Sequence, residues 1–145
     1  MRVAVLAFVL AACQTSAAPG AKLELVDAPP EGPVAPIVRA ELERARAAHK
    51  TLMVYVGATW CEPCERFHAA AQTGALDARF PTLRLLVFDY DRDDARLVAA
   101  GYKSEMIPLF VLPREDGRSS GRQVEGGVKG EAAIEDIAGR LRTLM

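Results

Sequence analysis

The sequence predicts one α/β domain with a central mixed sheet of four to five strands flanked by helices. Three observations carry that expectation. "TLMVYVGA", "TLRLLVFDYD" and "MIPLFVL" are short apolar runs rich in β-branched and aromatic residues, the length and composition of buried strands. The stretches between them repeat apolar residues at helical spacing, and strands joined by helices run parallel. The third run leads into the polar turn "REDGRSSG" and then "RQVEGGV", which adds an antiparallel hairpin.

Each element has its own justification. Val38, Leu42 and Ala45 recur among Arg and Glu from Ile37 to about His49, an amphipathic helix ahead of the first strand. A second helix follows that strand, with Phe67 and Ala71 on one face, and fades by Gly74 or Phe80-Pro81. After the second strand Asp91 is suited to cap a helix through Ala100 that turns Leu97 and Val98 inward and stops at Gly101. The closing helix buries Ile134, Ile137, Ala138 and Leu141. The order is α-β-α-β-α-β-β-α, with Leu23-Glu24-Leu25 as a further edge strand on alternation alone.

The N-terminus bears on location. Arg2 precedes the unbroken apolar run Val3 to Ala12, which has no polar face and is far shorter than the roughly 20 residues of a membrane-spanning helix. That pattern reads as an export signal. Leu10-Ala11-Ala12-Cys13 resembles the lipobox of bacterial lipoproteins. The resemblance implies cleavage before Cys13, a lipid on its sulfur, and a membrane anchor stable because it has more than one acyl chain. Gln14 follows, not aspartate, which by the family's sorting rule points to the periplasmic face of the outer membrane. Residues 1–12 are thus expected to be a lipoprotein signal peptide, 13–36 a flexible tether rich in proline, and 37–145 the folded domain.

Composition excludes other classes. Eighteen basic and nineteen acidic residues nearly cancel, and no basic run offers a footprint for nucleic acid. Half the residues are hydrophobic, enough for a core that needs no disulfide staples. Lipidation of Cys13 would also resolve the odd count of three cysteines.

The chemistry concentrates in "TWCEPCERFH". Cys61 and Cys64 stand at a strand-to-helix junction, where free backbone N–H groups and the positive end of the helix favour thiolate over thiol. Cys64 lies one helical turn on, within reach of Cys61, and Pro63 falls where a missing N–H is tolerated. Two alternatives stay open. A staple closing so short a loop would stabilise little. A zinc site needs about four ligands, and the chain offers only His49 and His68 besides the cysteines; His68, at i+4 from Cys64, would complete a three-ligand copper or zinc site.

With "WCEPC" before a helix, "EMIPLFVL" opening a strand and "EGG" leading to the last helix, everything from the first helix to Met145 resembles the thioredoxin superfamily. The resemblance implies the thioredoxin fold and thiol–disulfide exchange without a cofactor or metal. It makes Cys61 the nucleophile that forms the mixed disulfide and Cys64 the residue that resolves it. It makes Pro108 a cis-proline, and has Trp60, Ile107 and Pro108 line a groove that takes an extended protein segment by strand addition. The buried aspartate and lysine of cytosolic thioredoxins fall at Tyr55 and Val87 here, so the proton acceptor for Cys64 is Glu62, Glu65, Glu105 or water. Glu62 inside the motif resembles membrane-tethered extracytoplasmic reductases, including ones that serve cytochrome c maturation. Its charge next to Cys61 opposes the thiolate, so the expected function is reduction of protein disulfides, fed by a membrane electron donor. Oxidase or isomerase activity, or a non-catalytic module binding metal or a partner, are the alternatives.

Overall fold

The computed structural model describes residues 21–145, so the apolar run Val3 to Ala12 and Cys13 lie outside the described residues. In chain order the elements are β1 (Glu24–Asp27), α1 (Val34–Ala47), β2 (Thr51–Gly57), α2 (Glu62–Gln72), β3 (Leu83–Asp89), α3 (Tyr90–Ala99), β4 (Leu109–Pro113), β5 (Ser119–Glu125) and α4 (Ala133–Leu141). They form one five-stranded mixed sheet in the order β1-β3-β2-β4-β5. β1, β3 and β2 run parallel, while β4 is antiparallel to both β2 and β5. This is the thioredoxin fold the sequence predicts.

Alternation along the strands divides the core into two layers. Met53 and Tyr55 point with Leu83 and Leu85 to one face, where Phe67 of α2 and Ile137 and Leu141 of α4 cover them. Leu52, Val54 and Val56 point to the other, under Val38 of α1 and Leu97 of α3. Being covered on both faces, β2 is apolar at nearly every position, as central parallel strands are. Full burial of a side chain such as Phe67 or Phe110 contributes about 1.5–3 kcal/mol. No helix among the described residues is long and apolar enough to cross a membrane.

Four sequence expectations need correction. Residues 24–27, assigned to the tether, form β1 and pair with β3 from Glu24↔Arg84 to Asp27↔Val87. Charge pairing holds them there: Arg84 bridges Glu24 of β1 and the nearly buried Glu41 of α1. The helix expected from Ile37 to His49 begins at Val34 and ends at Ala47. Pro36 does not delay it, because in a first turn the N–H that proline lacks would have no partner anyway. The chain leaves α1 through His49, whose φ of 55° is the left-handed conformation of a helix C-terminus. Asp89 rather than Asp91 caps α3, accepting from the Arg92 amide at 2.9 Å. Finally, Val98 is 40% exposed and Asp93 is buried in its place, because positions 93 and 97 share the inward face at i,i+4 spacing.

Gly117 has a φ of 80°, and a Cβ there would overlap the carbonyl of Ala35 in α1. Only glycine lets the β4–β5 turn approach α1 this closely.

Candidate active site

β2 delivers Cys61 to the N-terminus of α2, where it is the N-cap residue. Its Sγ accepts the Cys64 amide N–H at 3.3 Å, one of the donors a first turn leaves without a helical partner. Cys61 and Cys64 are joined as a disulfide with Cα atoms 5.2 Å apart, and both are largely shielded, at 6% and 2% exposure. Pro63 sits inside this turn, buried.

The turn before β4 faces the pair. The Ile107–Pro108 peptide is cis, and the Ile107 carbonyl oxygen stands 3.7 Å from Cys61 Sγ. The Gly126 amide donates to the Pro108 carbonyl at 2.9 Å, tying this turn to the end of β5. Ser104 holds the same segment through Glu125 and the Met106 amide. Trp60, Cys61, Met106, Ile107 and Gly127 wall a groove of about 390 Å³ along the exposed side of Cys61. Gly127 matters sterically, since a Cβ there would meet the Cβ of Pro63 at 3.1 Å.

Sequence reasoning missed three parts of this groove. Asp91, read as a helix cap, instead accepts the Trp60 indole N–H at 2.8 Å and fixes a side chain that is 63% exposed. Tyr90 meets the Trp60 ring edge-on, with centroids 6.2 Å apart. Met106 adds an exposed, adaptable apolar surface on the opposite rim. A polar residue beside an aromatic one at the end of a strand was the available signal for Asp91.

Tyr55 and Val87 are direct neighbours in the β2–β3 register. Tyr55 stacks on Phe110, with centroids 4.7 Å apart, and donates its phenol to the Cys64 carbonyl at 3.2 Å. Burial pushes its ionisation well above the ordinary phenol value, so it stays protonated.

The acid–base candidates are dispersed. Glu62 accepts from Arg66 at 2.9 Å and from the Gly130 amide at 3.1 Å; the Arg66 hydrogen bond, then the Gly130 one, hold its carboxyl below the usual carboxylate range. Glu62 and Glu105 both border the Cys61 groove. Glu65 borders a second, larger cleft of about 710 Å³ on the far side of the disulfide, which also reaches Cys64 and His68. Among the described residues no three His, Cys, Asp or Glu side chains are arranged to hold a metal ion.

No family model matches the chain. It is 31% identical over 100 residues to a thioredoxin H-type of Fagopyrum esculentum, spanning 68% of this chain and 78% of that protein. Its fold is similar to that of oxidised thioredoxin O1 from Arabidopsis thaliana, with a TM-score of 0.50 at 17% identity over 86% of this chain and 95% of that one. The thioredoxin of Trichomonas vaginalis gives a TM-score of 0.50 at 20% identity, covering 85% and 97%. With a closed cysteine pair capping the helix after the central strand, the chain belongs to the thioredoxin family and is a thiol–disulfide oxidoreductase.

Proposed function

We propose that this protein is a lipid-anchored reductase of protein disulfides on the periplasmic face of a bacterial outer membrane. The observation that carries the chemistry is Cys61 at the N-cap of α2, its sulfur open to a groove with the Ile107 carbonyl 3.7 Å away. The Cys61 thiolate attacks a disulfide of an extended segment lying in the groove against Trp60 and Ile107, with Pro108 buried rather than lining it, and one substrate thiolate leaves. Cys64 then attacks Cys61 Sγ, a second substrate thiolate leaves, and the pair closes as the disulfide. A membrane donor returns the two electrons.

Two local effects set the direction. The Cys64 amide stabilises a Cys61 thiolate and pushes towards an oxidising couple. The ionised Glu62 next to Cys61 opposes it, and the Glu62-Pro63 dipeptide between the cysteines carries no cation. We give the second effect the greater weight, hence a reductase. The anchor rests on the run Val3 to Ala12 and on Leu10-Ala11-Ala12-Cys13, and the segment up to Leu23 would act as spacer.

The deciding experiment is the reduction potential of the couple, equilibrated against glutathione or dithiothreitol with zinc and copper excluded. A value near about −270 mV supports a reductase, and one near about −120 mV overturns it in favour of an oxidase.

A further inference from the structure

We propose that His68 is the proton acceptor for the Cys64 thiol, reached through the cleft on the side of the disulfide away from the substrate groove. The inference rests on the dithiol chemistry above and supplies what that chemistry lacks. Cys64 is 2% exposed, and its thiol must lose a proton before it can attack. The neighbouring strand positions cannot take it, since Val87 has no polar group and the buried phenol of Tyr55 already carries its own proton and is spent on the Cys64 carbonyl.

The cleft of about 710 Å³ gives Cys64 another outlet. Its walls are more apolar than polar, but the cleft opens to solvent, so water reaches the polar groups along it. Gly57 keeps its inner end open: a Cβ there would stand 3.0 Å from the Tyr55 hydroxyl and 3.4 Å from the Cys64 Cβ. His68 is one turn along α2 from Cys64, half-buried, with its ring 6.2 Å from that of Tyr55.

Every other charged group facing this space is accounted for. Asp89, at the end of β3, is the cap of α3. Arg92 of α3 is paired with Asp93. Asp27 of β1 and Glu65 of α2 are exposed at the rim. Lys22 and Glu24 line an adjoining pocket that His68 also borders, and Glu24 is paired with Lys50 and Arg84. Among the described residues no hydrogen bond holds the His68 ring, which leaves it able to exchange protons. A neutral imidazole offers an unprotonated ring nitrogen that can accept the proton.

The step balances as follows. In the mixed disulfide Cys61 Sγ is bonded to a substrate sulfur and Cys64 carries S–H. The proton passes through water in the cleft to the imidazole, and the sulfur electron pair forms the Cys64–Cys61 bond. The bond from Cys61 to substrate breaks, its electron pair leaves on the substrate sulfur, and that thiolate takes a proton from solvent. The dithiol is oxidised by two electrons and the substrate disulfide is reduced by two.

The test is rapid mixing of the reduced, full-length protein with a nitrobenzoate disulfide. This probe releases one coloured thiolate when Cys61 attacks and a second when Cys64 displaces the adduct. His68→Gln is expected to leave the first phase unchanged and slow the second roughly tenfold or more. Added imidazole should restore the rate of that second phase. A second phase unchanged at every pH overturns the proposal. So does loss of the second phase in Glu65→Gln but not His68→Gln, or slowing of both phases by His68→Gln with no rescue. Absence of the first phase in the wild-type protein overturns the oxidoreductase chemistry itself and this proposal with it.

Discussion

The phenol of Tyr55 donates to the carbonyl oxygen of Cys64 at 3.2 Å, so the central strand grips the redox helix at the residue that must resolve the mixed disulfide. The ring is locked by its stack on Phe110 and its edge contact with Phe67. Tyr55→Phe should lose that one hydrogen bond and about 1 kcal/mol of stability. Its turnover should be near wild-type, because the phenol stays protonated and takes no part in proton transfer. Tyr55→Asp restores the residue type of cytosolic thioredoxins but puts a carboxylate among apolar rings with no cation opposite. It should cost upwards of about 3 kcal/mol. Urea unfolding with an insulin-reduction assay checks both variants, and full stability of Tyr55→Asp would refute this account of the site.

Roles within the cysteine pair separate cleanly. Cys64→Ser should accumulate a mixed disulfide between Cys61 and a thiol-bearing substrate, visible by mass under non-reducing conditions. Cys61→Ser should trap none. Trapping by Cys64 alone would reverse the assignment.

Glu62 is expected to tune the couple. Its carboxyl is held low by the Arg66 hydrogen bond, then by the Gly130 amide, so it is charged at neutral pH. Glu62→Gln removes a negative charge beside Cys61, favours the thiolate and should raise the potential by about 10–30 mV. Arg66→Ala should move it the opposite way. Two variants at the wild-type potential would mean that solvent screens this charge out.

Asp93 should govern acid stability. Burial alone would raise its carboxyl, but hydrogen bonds from Arg92, Arg96 and the Asp89 amide outweigh burial and hold it below the ordinary range. The folded value is therefore below the unfolded one. The contribution is complete above about pH 4 and is lost as pH falls through the folded value. Asp93→Asn should cost about 2–3 kcal/mol at neutral pH, less than a fully buried pair because Arg92 still reaches water. It should also flatten the acid limb of a stability–pH curve; an acid limb identical to wild-type would remove Asp93 as its cause.

The anchor is tested on the whole chain in a Gram-negative host. The wild-type protein should take up labelled fatty acid and fractionate with outer membrane, and Cys13→Ser should do neither. Acylation that survives Cys13→Ser would refute the anchoring site.

Legibility in the sequence followed the range of the interactions. The strands, the helices and the Cys61–Cys64 junction depend on neighbours a few residues apart, and periodicity reports such contacts directly. Alternation alone marks β1 as no more than an edge strand within a tether, because its stability comes from pairing with β3 and from Arg84, sixty residues away. Val98 was turned inward because hydrophobicity marks preference for burial, whereas Asp93 holds the inward position through arginines that the pattern does not record.

The site divides in the same way. Pattern and spacing were enough for the fold class and the dithiol at a helix N-terminus, and the thioredoxin resemblance added the proline turn and the replacement of a buried charge pair by Tyr55 and Val87. Packing of separate elements makes Asp91 orient Trp60, ties Glu62 to Arg66 and Gly130 on the Cys61 side, and opens a separate cleft that both Cys64 and His68 border. Spacing along one helix or strand specifies which side chains share a face. Which groups meet across a groove depends on how separate elements pack, and that is settled by the core as a whole.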